Sequence, residues 1–97
     1  MSGGHFNYDQ FKINQIAEDI ALLILTNNST EVDEYGNKIG RNYPPEVIDT
    51  FIEAVLVLKT AYAYAHCIDY LVSADTGPDT FLQHLNNELK KVGNGKN

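Results

Sequence analysis

Tryptophan is absent, cysteine occurs once, proline three times, and seven basic residues stand against thirteen acidic ones in a chain of 97. Each shortage excludes something. A lone cysteine, Cys67, rules out an intramolecular disulfide and fits a reducing compartment. The prolines sit at Pro44, Pro45 and Pro78, which leaves 46–77 free of the residue that most reliably breaks a helix. A net charge of −6 provides no basic surface for nucleic-acid phosphates, so nucleic acid is not an expected partner. The apolar run 21–25 is far too short to cross a bilayer, and Asp49, Glu53, Lys59 and Asp69 interrupt the longer apolar stretch. The opening MSGGHFNYDQ lacks the charged and apolar regions of a signal peptide. The expectation is therefore a soluble cytoplasmic protein with no membrane partner.

Chemical signatures are missing as well. No phosphate-binding loop, dinucleotide fingerprint, zinc-protease helix, C-x-x-C pair or nucleophile elbow occurs. His5, His66 and His84 share no metal-ligand spacing, and the acidic residues Glu31, Asp33 and Glu34 do not follow the alternation of a calcium loop. No metal, no cofactor and no catalytic residue is expected.

What is present is helical periodicity. The pattern predicts an all-α, single-domain, three-helix protomer with one long central helix, the helices spanning about 8–27, 45–73 and 77–92. Residues 1–7 form an N-terminal arm, 28–43 an acidic connecting loop with room for a short hairpin at Gly36 and Asn37, and 93–97 a frayed tail stopped by Gly93. Asn7 is the expected cap of the first helix, and Thr76 with Asp79 makes a short-acid capping box for the last. The run ALLIL, ending at Leu25, is expected in the middle of the packed structure. On the central helix, Ile48, Phe51, Ile52, Val55, Leu58, Tyr62 and Ala65 make one apolar stripe, and Val47, Ala54, Ala61, Ile68 and Val72 make another. One can face the protomer's own core, so the other needs a partner, which implies a homo-oligomer of two to six copies.

Two constellations carry candidate chemistry. Lys59, Tyr62, His66, Asp69, Tyr70 and Ser73 recur at intervals of three and four, with tyrosine rings to stack on a planar ligand and a cation to meet an anion. His66 and Asp69 could contact one another, the pair from which a general base is built, but no nucleophile has a recognisable spacing beside them. At the N-terminus, Gly3 and Gly4 offer backbone N–H groups, His5 and Phe6 a donor and a flat ring, and Tyr8 and Lys12 follow. With Arg41 and Tyr43 from the loop, the expected ligand-binding set is Gly3, Gly4, His5, Phe6, Tyr8, Lys12, Arg41, Tyr43, Tyr62 and His66.

The segments GGHFNYDQFKINQIAEDI, IGRNYPPEVI and IDYLVSADTGPDTFLQHL resemble a family of small, mostly uncharacterised proteins of bacteriophages and prophages. The resemblance covers nearly the whole chain and implies an α-helical fold, residence in a host cell's cytoplasm and no established enzymatic activity. By analogy with phage proteins of this size, the expected role is counter-defence. The expected form is a homo-oligomer that sequesters a small anionic ligand, such as a cyclic nucleotide or an ADP-ribose derivative, at subunit interfaces. The alternative is an acidic helical inhibitor that docks on a host defence protein through Glu31, Asp33 and Glu34.

Overall fold

The structure is a computed structural model that describes residues 5–95. Three helices account for most of it: α1 (Gln10–Thr26), α2 (Pro45–Val72) and α3 (Pro78–Gly95), in an all-α fold with a long central helix. α2 begins where the sequence predicts, because Pro44 is extended and Pro45 occupies the first helical turn, where a missing N–H costs nothing. It ends in a Schellman motif: Ala74 adopts the left-handed region at φ 65°, its N–H reaches Leu71 O, and Asp75 N–H reaches Tyr70 O.

The other boundaries differ from expectation. α1 starts two residues later than predicted, because Asn7 and Tyr8 hold φ of 55° and 64° and cannot enter a right-handed helix. Asn7 is therefore not the cap; Asp9 occupies that position without a side-chain capping bond. The Thr76–Asp79 capping box does not form either, since Thr76 Oγ1 is buried with no partner. α3 runs through Gly93, which does not stop it.

The connection between α1 and α2 is built rather than loose. Asp33 Oδ1 accepts the N–H groups of Tyr35 and Asn37 at 2.8 and 2.9 Å, Gly36 supplies φ 83°, and Val32 pairs with Lys38 in a single antiparallel bridge where a hairpin was possible. Asn27 clamps the far end, donating to Tyr43 O at 3.0 Å and accepting Tyr43 N–H at 2.9 Å.

α1 and α3 each pack on α2 and not on each other. The result is a single layer of helices measuring 51 × 28 × 14 Å. Its radius of gyration, 16.9 Å, well exceeds the roughly 12.5 Å of a compact domain this long. Among the described residues only Ala17, Ala63 and Cys67 are fully buried apolar side chains. The ALLIL run is not central as expected: Leu22 and Leu25 are 59% and 82% exposed. Ile16 of α1 is 51% exposed as well. A single layer explains this, because each helix meets neighbours only at its sides and leaves two broad faces open.

By length and composition alone, α2 could also cross a membrane: its most apolar stretch has a mean hydropathy of 1.3, and 11% of that stretch is buried. Two of the charges that interrupt it are turned inward. Lys59 Nζ meets Asn14 Oδ1 at 2.7 Å and Glu18 at 3.1 Å, and Asp69 is wholly buried.

Candidate functional site

The two faces of the slab differ in chemistry. On one, rings from all three helices form a continuous ladder in which Tyr62, His66 and Tyr70 lie one turn apart along α2. His66 is stacked with Tyr62 at 5.2 Å between centroids and tilted against Tyr70 at 4.5 Å. Phe11 of α1 touches Tyr62 and His66, with Tyr8 stacked on it. His84 of α3 stacks on Tyr70 and reaches His66. Beside the ladder lies a cavity of about 350 Å³ lined by Asn14, Lys59, Tyr62, Glu88, Lys91 and Val92 among others. Its floor is apolar, and its two ammonium groups are each held by a glutamate.

Burial sets the protonation behaviour here. It lowers the pKa of His66, with the nearby His84 acting in the same direction and Glu88 and Asp69 opposing. It raises Tyr62, helped by Tyr70, Glu88 and Cys67, and it raises the Cys67 thiol, helped by Glu88. A protonated thiol is a poor nucleophile. His66 Nδ1 is buried with no partner. The sequence-predicted His66–Asp69 contact is not made, because Asp69 turns to the other side: Oδ1 accepts Phe6 N–H at 3.1 Å and Oδ2 accepts Gln10 Nε2 at 3.3 Å. Among the described residues, then, Asp69 does not orient the imidazole in the way that an oriented general base has its carboxylate.

Between α1 and α2, on the wall opposite the ladder, runs an open groove of about 470 Å³ lined by Phe6, Asn7, Asp9, Gln10, Ile13 and Ala65. Phe6 is part-exposed, with the His5 ring edge-on to it at 4.9 Å. Gln10 is only 3% exposed, and its Oε1 has no hydrogen-bond partner. A buried amide oxygen without a donor is costly.

The predicted ligand-binding residues are thus divided among three places. Gly3 and Gly4 lie outside the described residues. Phe6 lines the groove, and His5 stands edge-on to its ring. Tyr8, Tyr62 and His66 belong to the ladder, and Lys12 is exposed beside Asp9 at 3.3 Å. Arg41 and Tyr43 lie at the far end of α1, where the Tyr43 ring packs on Phe51 at 5.7 Å; a helix of this length spans roughly 25 Å. Gln10, Asn14, Phe11 and His84 were not singled out from sequence. Gln10 and Asn14 read as ordinary polar helix residues, and nothing local reveals that α2 meets them 59 and 45 positions later. Among the described residues no cluster of three metal-ligating side chains forms. Comparison with protein-family models, curated proteins and solved structures gave no match.

Proposed function

We propose that the chain is a phage-type, homo-oligomeric binding protein that sequesters a small anionic, nucleotide-like ligand at subunit interfaces, as a counter-defence factor, without catalysis. The observation that carries the reading is the separation of its recognition groups. The ring of Phe6 and the orphaned acceptor Gln10 Oε1 stand at one end of α1, and Arg41 with Tyr43 at the other. No small molecule spans that distance within one protomer, so a ligand that uses both sets bridges two. A flat ring suits Phe6, a base with an exocyclic amine suits Gln10 Oε1 once that side chain turns out into the groove, and a phosphate suits Arg41, whose planar fork matches its oxygens.

Isothermal calorimetry against cyclic dinucleotides and ADP-ribose derivatives tests this. Micromolar or tighter binding is expected, weakened at least tenfold by Arg41→Ala. Absence of binding across the panel removes the reading. The acidic-inhibitor alternative has less support, because Asp33 is already committed to the N–H groups of its own turn. A stoichiometric host protein recovered on tagged chain would favour it.

A further inference from the structure

The face of α2 opposite the ring ladder carries Ala54, Val57, Ala61, Tyr64, Ile68 and Leu71, spaced 3-4-3-4-3. A repeat of 3.5 residues keeps one seam pointing at a partner helix. Within the protomer the middle of this seam is open, Val57 being 57% exposed and Tyr64 46%, with Ala61 and Ile68 also exposed, while Ala54 and Leu71 at its ends are half-buried. The geometry points to a second copy of this chain as the occupant, α2 packing antiparallel on α2 about a twofold axis near Ala61. This deepens the homo-oligomeric reading above and rests on it.

Four observations choose this partner and this direction. The slab is one helix thick, 14 Å, whereas a stable domain needs two packed layers; a copy laid face to face supplies the second. The face measures about 51 by 28 Å, more than the roughly 800 Å² per partner that a standard interface uses. The seam from Val57 to Leu71 contains no charged residue, so a chain of net charge −6 can meet itself there without repulsion. The acidic residues Glu46, Asp49 and Glu53 all lie in the N-terminal third of α2, so parallel pairing would stack them on their copies. Antiparallel pairing sets them beside the partner's C-terminal third, whose one charge, Asp69, is wholly buried and turned towards α1.

The same rotation completes the divided site. Phe51, which carries Tyr43, lies ten residues before Ala61, and Asp69, which holds Phe6, lies eight after it. An antiparallel axis near Ala61 therefore brings these two levels within about 3 Å along the helix, and an axis in the plane of the slabs stacks α1 on α1 of its partner. The Arg41–Tyr43 end of one protomer then overlies the Phe6–Gln10 groove of the other, twice per dimer.

Light scattering with single substitutions tests the proposal. The wild-type chain is expected as a dimer or a multiple of one at tens of micromolar, and Ile68→Glu as a monomer of unchanged far-UV helicity. If that variant does not fold, cysteine cross-linking decides. Under copper–phenanthroline oxidation Ala61→Cys is expected to link to its copy, while Val57→Cys does not, since its counterparts lie about 12 Å apart along an antiparallel pair. Linking of both, or of Val57→Cys alone, overturns the antiparallel direction. A wild-type oligomer that Ile68→Glu leaves intact, with no Ala61→Cys link, overturns this interface alone. A wild-type monomer overturns both the interface and the homo-oligomeric reading, and one that co-sediments with phosphatidylcholine vesicles assigns the seam to lipid. Association without nucleotide binding leaves the interface standing and removes the ligand.

Discussion

Replacing Asp69 separates the need for an acceptor from the need for a charge. Asp69 is fully buried and tethers the N-terminal arm through Phe6 N–H at 3.1 Å and Gln10 Nε2 at 3.3 Å. Asp69→Ala removes two hydrogen bonds to a carboxylate, each worth about 1.5–3 kcal/mol. Phe6 is part-exposed, so its N–H can rehydrate, but Gln10 cannot. Relief of the carboxylate's own desolvation offsets a further part. A net loss of about 2–4 kcal/mol remains, and at roughly 4–8 °C per kcal/mol for a chain of this length the Tm should fall by on the order of 10–30 °C. Asp69→Asn should cost far less. The amide oxygen still accepts Phe6 N–H, and rotation of the Gln10 amide turns its orphaned Oε1 towards the new amide nitrogen, filling a gap that exists in the native protein. Thermal unfolding by circular dichroism at one fixed protomer concentration reads both, because association makes Tm concentration-dependent. An Asp69→Ala variant melting within about 3 °C of wild type would refute the tether. Equal damage from both substitutions would show that the charge, not the acceptor count, holds the arm.

Two further perturbations follow from the same geometry. Gly40 is buried, and an added Cβ would meet the backbone oxygens of Ser29 and Asn27; Gly40→Ala should cost about 1–3 kcal/mol by forcing the loop off the Asn27 clamp, seen as a lower denaturant midpoint, and no change would mean that the loop yields freely. His66 is held below its ordinary pKa, mainly by burial and secondarily by His84. The unfolded chain therefore binds more protons than the folded one between the two values. Its contribution to stability is complete above the unfolded pKa of about 6.5 and is lost as pH falls from there towards the folded value. Tm should drop between pH 7 and 5, less steeply in His66→Gln; identical slopes for the two would place the acid sensitivity elsewhere.

How much of this was legible in the sequence depends on how local each cause is. The bounds of α2 follow from two adjacent prolines and the absence of any breaker before Gly77, and its second apolar stripe is exposed at Ala61, Ile68 and Val72 as periodicity suggests. The all-α class and the long central helix rest on the same short-range rules. The first turn of α1 was misplaced because the backbone of Asn7 and Tyr8 is set from outside: a carboxylate 63 residues away takes Phe6 N–H and fixes how the chain enters the helix. Asp69 was matched with His66 on spacing alone, although residues three apart on a helix can also face different neighbours.

Sequence by itself determined where the helices run and that α2 has more apolar surface than one neighbour can cover, since both depend on residue type and period along a single rod. Only the tertiary structure decided which side of α2 each neighbour takes. That choice buries Asp69 against α1, gathers five rings from three helices into one ladder, leaves Leu25 in solvent and puts Arg41 a helix length from Phe6. The reason is that a layer one helix thick fixes contacts by the lateral order of its helices, a property that no stretch of local sequence encodes.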